Sequence, residues 1–460
     1  MIIRYLDPIE RVEFEIIQLS EEGCDVSALS ETHKKLLLLP QAQASEEAMQ
    51  VLIELMETNK RHSTPSSEEP DSLHAIREAA PNCKTLDQSQ VMLTDEQLHD
   101  RILGAWLGRS AGCLLGKPVE RYSRPVLREM LESNGNWPLA HYWTQQGMPA
   151  NILNQYPWKR RGGLASLREN IHYMPEDDDL NYTMLNLHVY ESFGEHFSSE
   201  DVGAAWLAML PANELFTAER VAYFNILSGK DAPETATYMN PFREWIGAQI
   251  RADFWGYVSH GNPQQAADFA WRDARLSHSR NGIYGEMFFA ALIASAFYKS
   301  DIRRLVEDSL GHVPAESRFA KAIHKVLALP IDDMQWEQVL DELYRQFGDY
   351  HWVHTINNAA LTVAALLFGK GDFEKTICHV VMGGWDTDSN GATAGSVVGI
   401  INGADALPQK WIAPLNDTIR SSLKGFDNAK LSALAKRTVD MATNTKNKTS
   451  GSNVRQADDF

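Results

Sequence analysis

The sequence predicts an all-α protein, and three observations lead to that prediction. Apolar residues recur at the helical spacing i, i+3 and i+4 through most of the chain, as in ERVEFEIIQL near the N-terminus. Segments such as TINNAALTVAALLFG are rich in alanine, the best helix former. Alternating runs of β-branched residues joined by Asn-Gly turns, which would indicate β-hairpins, are scarce.

Composition argues against nucleic acid and membranes as primary partners. Of the 460 residues, 44% are hydrophobic and 23% are charged, and the formal net charge is −18. Phosphate backbones and anionic lipids repel a chain of this charge. The charge by itself identifies no substrate, since solvated surface carboxylates are its simplest source.

Cysteine usage and the length of the apolar runs favour a cytoplasmic protein. The four cysteines form no CxxC pair, which argues against a zinc site and against a disulfide framework. The segment MIIRYLDPIERVEFEII carries charges throughout and lacks the apolar core of a signal peptide. The longest apolar runs are too short to span a bilayer. We therefore expect a cytoplasmic location, and the oligomeric state stays open.

Three regions follow one another along the chain. Residues 1–92 are expected to form an N-terminal helical extension that adds a layer to the core, with a linker rich in Ser, Pro and Glu near 61–72. Residues 93–440 are expected to form the main helical domain, whose first helix begins with the capping box of TDEQ. Residues 441–460 are polar, and we expect a disordered tail there.

Two rows of glycines repeat at every fourth position within helical segments. Glycine costs a helix about 1 kcal/mol per residue relative to alanine, so a row of four needs a compensating gain. The spacing places each row on one helix face, where a second backbone can approach closely. We therefore expect two packed helices, with the carboxylates beside the rows gathered at one end of the pair. The rows are Gly104, Gly108, Gly112 and Gly116, followed by Glu120, and Gly391, Gly395, Gly399 and Gly403, preceded by Asp386 and Asp388.

Carboxylates also cluster in PEDDDLNYT, directly before an apolar helical segment. One interpretation is helix capping, because aspartate favours the N-cap and the helix dipole favours acidic groups there. The other is a hard-cation site, because four adjacent acids repel one another and Mg²⁺ and Mn²⁺ prefer carboxylate oxygen. The same two interpretations apply to Asp386, Asp388 and the Ser389 hydroxyl, where an Asx-turn is the structural alternative. The residues by themselves leave both open.

Four segments, in this order, resemble those of a known family. They are DRILGAWLGRSAGCLLGKPVE, EDDDLNYT, DARLSHSRNGIYGEMFFAALIASAF and GGWDTDSNGATAGSVVGIINGADALPQKW. Over roughly residues 95–415 the chain resembles the ADP-ribosylglycohydrolase family, which includes ADP-ribosylarginine hydrolases. The resemblance implies an all-α fold with a central site that holds two Mg²⁺ or Mn²⁺ ions. The implied substrate is an ADP-ribosyl group on a protein or on a small molecule.

The resemblance also implies the metal ligands. The late motif of the family carries over to Asp386, Asp388 and Ser389, with serine in place of the usual threonine. A serine hydroxyl can still coordinate a hard cation. The expected ligands are Asp177, Asp178, Asp179, Asp386, Asp388 and Ser389.

The early motif departs from the family's Thr-Asp-Asp, because no threonine precedes the acids. Matching the downstream Thr183 to the family places Asp177–Asp179 on the motif, which is the preferred register. A shift by one residue places Glu176–Asp178 there instead, so that Asp178 is a ligand in both registers. In either register an extra carboxylate replaces threonine and adds negative charge.

Within the same resemblance, Glu120 is the candidate general acid or base. A surface glutamate is the structural alternative for this residue. Arg251 and His278 are candidate contacts to phosphate or adenosine, with a structural ion pair and a buried histidine as the alternatives. The expected catalytic residues are Glu120, Asp178 and Asp386, and the expected substrate-binding residues are Arg251, His278, Gly383 and Gly384.

Two other functions remain open at the level of the sequence. The altered early motif is compatible with a hydrolase of another N-riboside or nucleotide-like compound on the same fold. A non-catalytic, crystallin-like member of the family is the second alternative, since a fold does not determine function. The chain lacks GxGxxG after a strand, a P-loop, HExxH and GxSxG, so the functions that those motifs indicate have no support.

Overall fold

The computed structural model describes residues 7–62, 68–81, 93–158 and 162–449, and it confirms the all-α prediction. Within these ranges no β-strand forms, and extended pairing is limited to three isolated bridges. None of the described helices combines the length and apolar composition needed to cross a membrane. The N-terminal helices are α1 Pro8–Glu21, α2 Ser27–Leu36, α3 Gln41–His62 and α4 Leu73–Ala79.

The rest of the described chain continues as a succession of helices joined by short connections. The α-helices are α5 Asp95–Gly116, α6 Arg124–Ser133, α7 Ala150–Gln155, α8 Asp178–Phe193, α9 Ser199–Met209, α10 Thr217–Leu227, α11 Glu234–Thr237, α12 Ala252–Val258, α13 Pro263–Ala274, α14 Asn281–Ala296, α15 Ile302–Ser309, α16 Arg318–Leu327, α17 Trp336–Phe347, α18 Thr355–Gly369, α19 Phe373–Met382, α20 Thr387–Asn402, α21 Gln409–Ile412 and α22 Leu431–Thr449. Short 3-10 helices lie at Lys117–Val119, Leu164–Ser166, Gly194–His196, Ala212–Glu214, Gln249–Arg251, Leu310–His312, Ile331–Asp333, Ala404–Ala406 and Ala413–Leu415.

Helices α14, α18 and α20 form the centre of the domain and are buried on nearly every face. Their sequences contain alanine, glycine and β-branched or long apolar residues with very few charges. A helix without a polar face is stable only where other elements surround it. Helices α12 and α13 cover α14, and α5 lies along α20. Because α20 is buried, the candidate carboxylates at its N-terminal end, Asp386 and Asp388, also lie in the interior of the domain.

The two glycine rows pack directly against each other, which confirms the packing prediction. Gly104 lies against Gly399 and Gly112 lies against Gly391, so α5 and α20 run antiparallel. A Cβ atom added to Gly112 would lie 1.9 Å from the carbonyl oxygen of Gly391. Backbone contact of this kind leaves no space for a side chain and offsets the low helix propensity of glycine. The C-terminal end of α5 consequently meets the N-terminal end of α20.

Replacing Gly112 with alanine is expected to destabilise the protein by about 3 kcal/mol, because the added methyl group forces two backbones apart. Gly203 in α9 provides the matched control, since a Cβ there would meet its nearest atom at 3.4 Å, an ordinary contact. Gly203→Ala is expected to be neutral or to stabilise by up to about 1 kcal/mol through helix propensity. Urea denaturation of both variants measures the difference. Equal stabilities would show that the helices separate without cost.

The N-terminal helices pack on the main domain as an additional layer. Val12, Leu36, Ala48 and Leu52 form a small apolar cluster, and Met239 of the main domain completes it. Carboxylates of this layer also pair with arginines of the main domain. These ion pairs are Glu15–Arg243 at 2.9 Å, Glu22–Arg243 at 2.7 Å, Glu22–Arg280 and Glu69–Arg318 at 2.8 Å.

The expected linker near 61–72 is not a free connection over its described part. Helix α3 continues to His62, and residues 63–67 lie outside the described ranges. Glu69 is buried against Arg318, and the carbonyl oxygen of Asp71 accepts a hydrogen bond from Trp271 Nε1 at 2.8 Å. The Ser/Pro/Glu composition suggested a solvated linker because Arg318, the partner of Glu69, is distant in the sequence.

The structure describes a helix over the first part of the segment that was expected to be disordered from residue 441 onward. Helix α22 runs to Thr449, and residues 450–460 lie outside the described ranges. Ala442 is buried, as is Thr438 one turn earlier, whose hydroxyl accepts a hydrogen bond from Trp106 Nε1 at 3.1 Å. Packing of this helix against α5 stabilises a segment whose composition alone is polar.

Candidate active site

Three helix ends converge at one place in the domain. Helix α5 ends at Gly116, and its carbonyl oxygen accepts a hydrogen bond of 2.8 Å from the hydroxyl of Thr387, the first residue of α20. Helix α8 begins at Asp178, and the neighbouring Asp179 accepts a hydrogen bond of 3.3 Å from Ser389 Oγ of α20. The end of the first glycine row and both acidic motifs therefore lie together.

Two clusters of three possible ligand side chains lie at this junction. Cluster A consists of Glu120, Asp386 and Asp388. Cluster B consists of Cys113, Asp177 and Asp179. Within each cluster, one ligand atom from each residue lies within 4.8 Å of the other two. Five of these six side chains belong to buried residues, and Glu120 lies at the margin with 9% of its side chain exposed.

Cluster A has the donor set that a hard divalent cation prefers, because all three groups are carboxylates. Asp386 is the N-cap residue of α20, but its side chain makes no capping hydrogen bond. The Asx-turn interpretation therefore does not account for this aspartate. The residues present fit a Mg²⁺ or Mn²⁺ ion at cluster A.

Cluster B has a different chemistry, because it contains a thiol and its carboxylates have cationic partners. Asp177 caps α8 by accepting a hydrogen bond of 3.0 Å from the backbone N–H of Asp179, so helix capping is correct for this residue. Its other carboxylate oxygen forms an ion pair of 2.5 Å with Lys117 Nζ. Lys117 is 3% exposed and follows the first glycine row immediately. The sequence reasoning missed it, although a lysine between a glycine row and Pro118 was a visible signal.

Arg109 holds the second carboxylate of cluster B. Its guanidinium is fully buried and lies 2.7 Å from Asp253 and 3.4 Å from Asp179 Oδ1. It also donates to the carbonyl oxygens of Asp179 at 2.8 Å and Ile250 at 2.6 Å. Arg109 therefore positions the start of α8 relative to α5. A charged residue inside a glycine row was the available signal, but the sequence does not show its partners.

Burial and neighbouring charge shift the pKa values in cluster B. Burial raises the pKa of Asp179 well above its usual range, and Asp177 raises it further. The Arg109 guanidinium acts in the opposite direction on the same carboxyl group. Burial also raises the pKa of the Cys113 thiol well above its usual range, with further contributions from Asp177 and Asp179. Additional negative charge in this cluster is thus disfavoured without positive charge beside it.

The structure separates the members of the early acidic motif. Glu176 accepts hydrogen bonds from Asn181 Nδ2 at 2.9 Å and from Ser422 Oγ at 3.1 Å, which supports the register Asp177–Asp179. Asp178, expected as a ligand in both registers, belongs to neither cluster. It is partly exposed and acts electrostatically on Asp179. Its role as a metal ligand and catalytic residue stays a prediction.

A tight turn brings Asp386 to the site. Gly384 has φ +76°, and a Cβ atom there would lie 3.1 Å from the backbone nitrogen of Arg124. Gly383 accepts a hydrogen bond of 2.8 Å from the hydroxyl of Tyr344 through its carbonyl oxygen. Both glycines thus shape the turn, and their expected contact with substrate stays a prediction. The side-chain oxygen of Asn358 in α18 accepts a hydrogen bond of 3.2 Å from the backbone N–H of Asp386.

Arg251 lies in a buried ionic network. Its side chain is fully buried and pairs with Glu219 at 2.8 Å, Asp273 at 3.0 Å and Glu286 at 3.6 Å. These carboxylates repel an anion and support the structural alternative, a buried ion pair. The expected contact of Arg251 with substrate stays a prediction.

His278 is also placed apart from the two clusters. It is fully buried, its Nδ1 lies 2.8 Å from Ser277 Oγ, and burial lowers its pKa well below the usual value. It borders a cavity of about 940 Å³ between α4 and the main domain, and no member of cluster A or B lines that cavity. The expected contact of His278 with a substrate held at the carboxylates is therefore not supported by the geometry.

Comparisons with known proteins identify the family of this chain. The sequence profile of the ADP-ribosylglycohydrolase family matches residues 94–448. An uncharacterised protein of Archaeoglobus fulgidus is 21% identical over 329 residues, which cover 70% of this chain and 93% of that protein. A solved chain of an "ADP-ribosylglycohydrolase-related protein complex" is 19% identical with a TM-score of 0.49, and the match covers 75% of this chain and 99% of that chain. The family profile spans more than half of the sequence and includes both acidic motifs, so this protein belongs to the ADP-ribosylglycohydrolase family.

Proposed function

We propose that this protein is a divalent-cation-dependent hydrolase that cleaves the glycosidic bond of an ADP-ribosyl group on a protein or a small molecule. The observation that carries the proposal is cluster A, in which Glu120, Asp386 and Asp388 converge at the end of the paired glycine helices. Membership in the family supports the glycohydrolase class. Three free cysteines among the described residues support the expected cytoplasmic location, where thiols stay reduced.

In the proposed mechanism, Asp386 and Asp388 would hold the cation through their carboxylates. When bound, a Mg²⁺ or Mn²⁺ ion would supply Lewis acidity that orients ribose hydroxyls and makes water a better nucleophile. Glu120 accepts a proton from the water whose oxygen bonds to the anomeric carbon. The acceptor leaves with the electron pair of the broken glycosidic bond and takes up a proton from solvent. The neighbouring carboxylates stabilise the oxocarbenium-like positive charge that develops on the ribose.

A product assay tests the substrate class. The full-length protein is incubated with ADP-ribosyl-arginine, ADP-ribosyl-serine and simple nucleosides, in Mg²⁺, in Mn²⁺ and in EDTA. We expect release of ADP-ribose from at least one ADP-ribosylated substrate, and we expect EDTA to abolish it. Cleavage of nucleosides alone would support the alternative, an N-riboside hydrolase on the same fold. No cleavage in any arm would support a non-catalytic member of the family.

Metal binding should appear as a change in stability that depends on cluster A. A ligand that binds only the folded state stabilises by about 2.7 kcal/mol when its free concentration is one hundred times Kd. Wild-type protein should therefore melt at a higher temperature in Mg²⁺ or Mn²⁺ than in EDTA, and Asp388→Asn should lose most of this shift. In EDTA the variant should be no less stable than wild type, because removing one carboxylate relieves repulsion within the cluster.

The exposed Asp349 supplies the matched control for this measurement. Asp349→Asn should keep the full shift on addition of metal. An equal shift in Asp388→Asn and in wild type would contradict metal binding at cluster A.

A further inference from the structure

The two carboxylates of cluster B are already paired with positive charge that the protein supplies. Asp177 forms an ion pair with Lys117 at 2.5 Å, and Asp179 forms one with Arg109 at 3.4 Å. Both cations are buried. Cluster A brings together three carboxylates, the donor set that a hard divalent cation prefers.

The ammonium group of Lys117 lies against the Asp177 carboxylate, and both oxygens of this carboxylate accept hydrogen bonds from the protein. One oxygen of Asp177 caps α8, and the other is held by Lys117. Lys117 is enclosed, since its Cε would lie 3.1 Å from a Cβ atom added to Gly162. A divalent ion on the same carboxylate would face this ammonium at short range in a poorly solvated place, where like charges repel strongly.

The third member of cluster B disfavours a hard cation independently of the lysine. Mg²⁺ and Mn²⁺ prefer oxygen donors, whereas Cys113 offers a sulfur atom. Asp179 is oriented by Arg109 and by the hydroxyl of Ser389 at 3.3 Å. A buried guanidinium, a buried ammonium and a thiol together make cluster B a poor place for a second divalent ion.

We propose that Lys117 takes the place of a second metal ion, so that the chain holds a single divalent cation at cluster A, through Asp386 and Asp388. This inference rests on the proposed function, since it requires a cation at cluster A, and it differs from the pair of ions that the family resemblance implies. In cluster B the Lys117 ammonium supplies the positive charge beside Asp177 that a second metal ion would otherwise supply.

Binding of Mn²⁺ alone to the full-length protein tests the inference without an activity measurement. Isothermal titration calorimetry gives the number of ions per chain, and electron paramagnetic resonance distinguishes an isolated Mn²⁺ from an exchange-coupled pair. We expect one ion per chain and the spectrum of an isolated ion. Two ions per chain with a coupled spectrum would overturn the inference and leave the proposed function intact, whereas no binding would overturn both.

A paired variant tests where the ion binds. Lys117→Met/Asp177→Asn removes both charges of the ion pair, which avoids leaving one of them buried and unpaired. We expect it to bind one Mn²⁺ with an affinity at most about tenfold weaker than wild type, because the change lies beside the ligands. Asp386→Asn should weaken binding by more than about 100-fold. Loss of Mn²⁺ binding in a folded Lys117→Met/Asp177→Asn protein would place the ion at Asp177 and overturn the inference.

Discussion

Replacing Glu120 with glutamine is expected to lower kcat by about 10²–10⁴-fold, the usual contribution of a general acid or base. Glutamine keeps the size and shape of the side chain but cannot take up the proton of the attacking water. The position suits this role, because Glu120 shares cluster A with the buried Asp386 and Asp388 and keeps 9% of its side chain exposed. Hydrolysis of the substrate identified in the product assay gives kcat directly.

Two further measurements separate the possible roles of Glu120. Glu132→Gln, at an exposed position of α6, serves as the matched control and should leave kcat unchanged. Mn²⁺ binding to Glu120→Gln distinguishes proton transfer from metal ligation. A loss of kcat with nearly unchanged Mn²⁺ affinity supports the general base, and a parallel loss of both makes Glu120 a ligand. If Glu120→Gln lowers kcat by no more than about twofold, the loss is far smaller than the loss of a general base would cause, and Glu120 has no part in the mechanism.

Replacing Arg251 with methionine is expected to destabilise the protein by about 3–5 kcal/mol, the usual result of removing one partner from a buried ionic network. The variant leaves Glu219, Asp273 and Glu286 without the guanidinium that they share. Burial raises the pKa values of Glu219 and Glu286, and Arg251 opposes that rise in both. Urea denaturation measures the free energy of unfolding, and Arg128→Met on an exposed face is the control, expected within about 0.5 kcal/mol of wild type.

The loss in Arg251→Met should depend on pH in a defined direction. Without the guanidinium, the buried carboxyls have folded-state pKa values above those of the unfolded chain. Such groups favour folding below the unfolded pKa, and this contribution is lost as the pH rises through the folded pKa. The variant should therefore be less destabilised at mildly acidic pH than at neutral pH. If Arg251→Met has wild-type stability and only a raised KM, the result would support a contact between Arg251 and the substrate.

The sequence predicted the central helix pair and the meeting of the carboxylates because both follow from short-range rules. A glycine at every fourth position defines one helix face, and close backbone contact is what such a face allows. With α5 and α20 antiparallel, Glu120 and Asp386 necessarily lie at the same end. The family resemblance also identified the two acidic motifs as candidate metal ligands, because each motif is a short contiguous segment that can be recognised without knowing the fold.

The differences from expectation and the omissions share one physical cause, which is that the partner of a buried charge is distant in the sequence. Arg251 was expected to bind phosphate, but its carboxylate partners include Glu219 and Glu286 on other helices. Glu69 was assigned to a linker, but its partner Arg318 lies 249 positions further along the chain. Disorder was expected after residue 440 because the side chains are polar, yet α22 continues to Thr449 and Ala442 within it is buried.

By itself, the sequence determined the helical class and the glycine contact, because periodicity and backbone sterics act within a few turns of one helix. The acidic motifs and the family followed from the resemblance of short contiguous segments to those of known proteins. Only the tertiary structure decided which carboxylates share a cluster, and that Asp177 and Asp179 form ion pairs with Lys117 and Arg109. Lys117 and Arg109 lie on the same glycine-rich segment as the site, but their effect depends on α8, α12 and the 3-10 helix at Gln249–Arg251 folding against it. Electrostatic compensation in a poorly solvated interior is set by distances between side chains, and those distances exist only once the chain is packed.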